Sequence, residues 1–139
     1  MFAANSLIFV PGSRPDRFAK AHASGAGLTV IDLEDAVAPV DKISAREAAL
    51  AQVASGGPQW AIRCNAVATA AGIADLAAFV AAASLPAVML VPMVESGVEL
   101  EIVSKVLGER CPELMPLIEI PKGLRHARVI AAAPRVGGV

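Results

Sequence analysis

Short apolar runs, each closed by a polar or turn residue, alternate along this chain with longer stretches whose apolar positions recur at helical spacing. SLIFV (6–10) closes at Pro11-Gly12, LTVIDL (28–33) at Glu34-Asp35, and QWAIRCN (59–65), AVMLVPM (87–93) and LMPLIEI (114–120) follow. RVGGV (135–139) begins a sixth run. Most of these runs are continuously apolar, which marks strands covered on both faces. Helices are predicted between them. The first opens at Ser13 as N-cap, carries Pro15 and Asp16 early, and runs through FAKAHA to a C′ glycine at Gly25. The second contains AREAALAQVA and breaks at Gly56-Gly57-Pro58. The third covers 73–83, the fourth opens at Ser96 and runs through VELEIVSKVLGER, and the fifth leads from Pro121-Lys122-Gly123 to near Ala133, before Pro134.

Strand and helix alternating in this way imply an α/β protein with a parallel sheet under helical cover. An open doubly wound sheet and a (β/α)8 barrel both satisfy that order. The polar residues favour the barrel. Asp32, Glu34 and Asp35 follow strand two, Arg63 and Asn65 strand three, Glu95 and Ser96 strand four, and Glu119 lies in strand five. Barrels place chemistry on the ends of several strands, whereas an open sheet gathers its ligand at one switch point. Neither a G-x-G-x-x-G nor a Walker-type loop is present. A complete barrel takes eight units and about 250 residues. The expected fold is therefore a (β/α)8 TIM barrel truncated to about five βα units plus the start of strand six, with 1–139 as the N-terminal portion of a single domain.

Composition narrows the partners. The chain is 55% hydrophobic and 18% charged, with a net charge of −1, so it offers no basic field for nucleic acid or an anionic membrane. A mean hydropathy of +0.59 raises the question of a membrane span. The longest weakly charged stretch, Ala66 to Val94, contains Asp75 and is divided by Pro86 and Pro92, which fits a helix followed by a buried strand better than a span. Cys64 and Cys111 are too few for a disulfide scaffold and suit a reducing cytoplasm.

The segments SLIFVPGSRPDRFAKA, VIDLEDAVAP with a downstream KISAREAA, IRCNA, VPMVES and PLIEIPKGLRHAR, taken in order, resemble the citrate lyase β-subunit-like branch of the HpcH/HpaI aldolase family. The resemblance implies a Mg2+-dependent lyase that splits a 3-hydroxyacyl-CoA acid, of citryl-, malyl- or citramalyl-CoA type, into an acyl-CoA and a 2-oxo acid. It also implies a homo-oligomer. Carried over by position, Arg63 matches the catalytic, substrate-binding arginine, and Glu119 the first metal carboxylate. The second carboxylate is expected beyond Val139. Arg14 and Lys20 match basic positions associated with CoA, and Glu34, Asp35 and Lys42 match the acidic rim and its covering loop. Met93 stands where many relatives have lysine, and Ile120 and Lys122 replace a Thr and an Ala.

The residue types suit that chemistry. Mg2+ takes hard oxygen ligands and few of them from protein, and an arginine fork suits a carboxylate or a developing oxyanion. Plainer readings stand beside these. Glu34 and Asp35 could cap the next segment, Arg14 and Lys20 could be a solvated helix face, and Glu95 reads as a helix-start acid. His22 and His126 have no ligand spacing. A family thioesterase and a catalytically inactive barrel fragment remain alternative functions, and a flavodoxin-like binding module an alternative fold.

Overall fold

The computed structural model describes residues 4–56 and 60–138. The expected break at Gly57-Pro58, the start of strand three at Gln59, and Val139 lie outside the described residues. Five parallel strands, β1 (Leu7–Pro11), β2 (Leu28–Asp32), β3 (Trp60–Arg63), β4 (Val88–Val91) and β5 (Glu113–Pro116), form one sheet in the order β1-β2-β3-β4-β5. Helices α1 (Phe18–His22), α2 (Lys42–Ala54), α3 (Ala70–Ala81), α4 (Gly97–Leu107), α5 (Pro121–Arg125) and α6 (Ala127–Ala131) connect or follow them. Each strand lies beside its predecessor, so the strand order never reverses. An open doubly wound sheet of flavodoxin type needs such a reversal. Among the described residues no helix is long and apolar enough to cross a membrane.

Strand side chains alternate between two faces. Val10, Ile31, Trp60, Ile62, Met89, Val91 and Leu114 join helix residues such as Phe79, Leu100 and Val103 in the larger core. Leu28, Val30, Ala61, Val88 and Leu90 form a second cluster with Met115 and Leu117 on the opposite face. Two buried apolar faces explain why these runs are nearly all hydrophobic. The register pairs Phe9 with Val30, Pro11 with Asp32, and Asp32 with Arg63. Asp32 and Arg63 therefore stand in phase with Val30 and Ala61, at the carboxyl end of the second face.

Several expected boundaries move. No helix begins at Ser13: a 3-10 turn at Pro15–Arg17 precedes α1, and neither has a side-chain cap. Pro15 sets that turn, because its missing N–H costs nothing in a first turn. The third helix begins at Ala70 instead of residue 73, since Thr69 caps it by accepting the Gly72 N–H at 3.0 Å. A Cβ on Gly72 would come within 2.1 Å of the Ala66 carbonyl oxygen, so glycine permits the close approach of α3 to the loop after β3. Ser96 does open α4, within a capping box completed by Glu99. The fifth helix is split at His126, whose Nδ1 lies 2.8 Å from the Glu95 carbonyl oxygen. β5 ends at Pro116, so Glu119 lies beyond the strand instead of within it. The sixth run makes a single parallel bridge, Leu114 to Val136.

Candidate active site

Register brings Arg63 and Asp32 side by side, and their side chains close a bidentate pair. Arg63 Nε donates to Asp32 Oδ1 and Nη2 to Oδ2, both at 2.7 Å. The Phe9 ring lies on the same face, 5.2 Å from the guanidinium carbon, and adds a cation–π contact. The other edge of the fork meets Glu34, with Nη1 3.0 Å from Oε2, and Asp35 at 3.6 Å. The Asp32 carboxylate also accepts the N–H groups of Glu34 (2.9 Å) and Ala36 (3.0 Å). It therefore both orients the arginine and closes the turn that carries Glu34.

Burial raises the pKa of Asp32, but the Arg63 hydrogen bonds and the two amides outweigh it, and the net shift is downward. Glu34 moves the other way, to about 7. Burial is the main cause and Arg63 opposes it, while the neighbouring negative charges of Asp35, Glu119 and Asp32 add to the rise. Its Oε2 is buried and, although near Nη1, lacks the alignment of a hydrogen bond. A carboxyl that titrates near 4.5 when unfolded and about 7 when folded binds more protons in the native state between those values. Stability should therefore fall as pH rises through that window. Glu34→Gln is expected to flatten this part of a stability–pH curve measured by urea unfolding. An unchanged slope would remove Glu34 as its source.

Glu119 approaches from the far side of the rim. Its Oε2 accepts the Met93 N–H at 3.1 Å, and Met93 adopts φ 56°, an uncommon conformation for a residue with a side chain. A cavity of about 230 Å³ adjoins it, lined by Val67, Met93, Glu95 and Ile120 among others. Glu95 binds Lys122 at 2.5 Å instead of serving the start of α4, where Glu99 takes that role. Among the described residues no group of three or more His, Cys, Asp or Glu side chains is arranged to hold a metal. The donor chemistry still fits a hard divalent ion. Asp32, Glu34 and Asp35 share Arg63 as their nearby guanidinium, Glu119 acts on the charge of Glu34, and one buried Glu34 oxygen has no hydrogen bond.

The remaining expected site residues lie apart from this cluster. Arg14 pairs with Asp16 at 2.8–2.9 Å on the surface. Lys20 is exposed and lines a cavity of about 510 Å³ with Phe9, Pro11 and Arg17. The turn before α1 uses its own amides: Gly12 N–H donates to Asp32, Arg14 N–H to Pro11, and Arg17 N–H to Arg14. His22 stacks on Trp60 at 5.5 Å, a packing role. Burial raises the Cys64 thiol pKa, which rules against a nucleophile. Sequence reasoning named Lys42, Asn65 and Asp75 without joining them, and missed Arg46. Lys42 reaches Leu33, Glu34 and Asn65, while Arg46 and Asp75 form a buried ion pair at 2.6 Å. The available signal was Asp75, the one charge in a long apolar stretch.

A family model described as HpcH/HpaI aldolase/citrate lyase matches residues 5–139. A (3S)-malyl-CoA thioesterase of Cereibacter sphaeroides is 36% identical over 137 residues, covering 96% of this chain and 47% of that protein. A citrate lyase subunit beta-like protein of Mycobacterium tuberculosis is 37% identical over 136 residues, covering 97% and 46%. The chain thus spans about half the length of the curated relatives it matches. Protein CitE of Mycobacterium tuberculosis, solved in complex with magnesium, acetoacetate and coenzyme A, superposes with a TM-score of 0.82 at 32% identity, covering 99% of this chain and 48% of that one.

Proposed function

This chain belongs to the HpcH/HpaI aldolase/citrate lyase family, and on that premise we propose that its full-length protein is a magnesium-dependent carbon–carbon lyase. The substrate is a 3-hydroxyacyl-CoA acid of citryl-, malyl- or citramalyl-CoA type, and the products are an acyl-CoA and a 2-oxo acid. The protein is a cytoplasmic homo-oligomer, and the five-stranded sheet is the first part of a (β/α)8 barrel in which 1–139 is an N-terminal portion. The observation that carries the reading is the convergence at one rim of Arg63, the last residue of β3, with Glu34 after β2, and with Glu119 after β5 close enough to act on the Glu34 charge.

Each residue has a defined task. Arg63, oriented by Asp32, offers fixed donors to the substrate carboxylate or to negative charge developing on its oxygen. Glu119 would hold magnesium, together with a second carboxylate from the rest of the full-length protein. The ion, when bound, supplies Lewis-acid polarisation of the 2-oxo acid oxygens. Glu34 holds a proton on its carboxyl up to near-neutral pH, and Asp35, largely exposed, adds negative charge at the mouth. Arg14 and Lys20 lie on the exposed surface after β1, where a CoA phosphate would meet them. With one metal carboxylate, residues 1–139 by themselves are inactive.

A thioesterase is the second reading, favoured by the malyl-CoA thioesterase relative at 36% identity. One assay separates the two. The full-length protein is given malyl-CoA or citryl-CoA with and without magnesium, and 2-oxo acid and free CoA thiol are both followed. Oxo acid appearing without free thiol supports the lyase, free thiol supports the thioesterase, and neither product sinks both. Glu119→Gln is expected to lower the magnesium-dependent rate by about 10²-fold or more. An unchanged rate would remove Glu119 from the metal site.

A further inference from the structure

Behind the rim runs a chain of polar side chains that touches neither the cavity nor Glu119. Arg46 Nε donates to Asp75 Oδ1 at 2.6 Å. Asp75 Oδ2 accepts both the backbone N–H of Asn65 (2.7 Å) and its Nδ2 (2.8 Å). Asn65 Oδ1 then accepts from Lys42 Nζ at 2.7 Å. The same ammonium donates to the carbonyl oxygens of Leu33 (2.7 Å) and Glu34 (2.6 Å). An ammonium has three donors, so Lys42 has none left.

The three acceptors are all neutral oxygens. A lysine that serves only as a solvated charge gains little from such a site, because holding its long side chain in one place costs entropy. What the arrangement does secure is the Leu33–Glu34 backbone. Leu33 N–H donates to the Arg63 carbonyl at 2.9 Å, and Glu34 N–H donates to Asp32. The Glu34 carbonyl takes Lys42 and the Val37 N–H together. Lys42 and Arg46 lie one turn apart on α2, while Asn65 follows β3 and Asp75 sits on α3. Two outer helices are thereby tied to the loop that carries Glu34 and to Asn65, just past Arg63 at the end of β3.

We propose that Lys42 is a positioning residue: its ammonium, oriented by Asn65 and the Arg46–Asp75 pair, clamps the Leu33–Glu34 backbone and so sets the Glu34 side chain against Arg63. The functional part of this inference rests on the lyase reading; the clamp does not. An arginine could not replace it, because a planar fork does not converge on three acceptors around one point.

The test uses the full-length protein with magnesium. Lys42→Cys removes the clamp, and bromoethylamine then rebuilds an ammonium at lysine length on the new thiol. Cys64 and Cys111 are buried, and unsubstituted protein treated with the same reagent is the control. The substitution is expected to lower kcat for CoA-thioester cleavage about 10–100-fold with little change in KM. Amide exchange over residues 33–37 should rise about tenfold, while that of 88–91 stays unchanged. Bromoethylamine should restore both, and iodoacetamide neither. If the cysteine variant fails to fold, Lys42→Gln carries the same rate and exchange comparison.

Unchanged exchange at 33–37 would overturn the clamp, as would exchange rising equally at 88–91. Local exchange that rises and is restored, with kcat untouched throughout, would overturn the link to the site. The same local exchange in a protein that cleaves no CoA thioester would uphold the clamp and reject the lyase reading.

Discussion

Replacing Arg63 by lysine is expected to lower kcat for CoA-thioester cleavage in the full-length protein by roughly 10²–10³-fold, the usual loss when one preorganised donor to a developing oxyanion is removed. Lysine is the informative substitution because it keeps the positive charge. Asp32 is 1% exposed and Arg63 13%, so removing the charge outright would leave a buried carboxylate short of its main partner. Lysine can still reach Asp32, which also keeps the amides of Glu34 and Ala36. It loses the fork that binds Asp32 with one edge and presents Nη1 toward Glu34 with the other. The expected result is therefore a large fall in rate with a small change in melting temperature. A melting temperature that collapses with the rate would instead make Arg63 a structural residue, and an unchanged rate would remove it from the chemistry.

The largest stability effect is expected at Asp75, away from the proposed chemistry. Its side chain is fully buried and that of Arg46 is 10% exposed. Asp75→Ala leaves Arg46 without its carboxylate and removes the acceptor for both Asn65 N–H groups. Breaking a buried pair from one side costs about 3–5 kcal/mol, and urea unfolding of the full-length protein would read it. Replacing Arg46 and Asp75 together with apolar residues of similar volume should recover part of that loss, because no buried charge remains. A loss below about 1 kcal/mol for the single change would mean that water reaches Arg46 behind α3.

The alternation of elements was legible in the sequence because strands covered on both faces must be apolar throughout. Element ends were less legible. Ser13 reads as an N-cap by residue type, yet Pro15 diverts the chain into a 3-10 turn first. Thr69 lets α3 begin at Ala70, three residues before the apolar pattern starts, since a cap depends on one local hydrogen bond. Among site residues, Arg63, Glu34 and Glu119 were legible as polar groups ending apolar runs. Lys42 was legible only through family resemblance, grouped with the acidic rim and its covering loop, and its hydrogen bonds to the Leu33 and Glu34 carbonyls came from packing.

The βα repeat, the parallel sheet and the set of strand-end side chains can be read from the order of residues alone, because they follow from periodicity and from turn residues close in the chain. Which of those side chains meet is a property of the packed molecule. Arg63 and Asp32 are 31 residues apart, and Lys42 and Asn65 are 23 apart. Their pairing depends on strand register and on how α2 and α3 lie against the sheet. The same holds for Glu34, whose raised pKa comes from burial and from Glu119 and Asp32 crowding it. Hydrophobic pattern acts along the chain, but desolvation and charge act across the distances that packing sets.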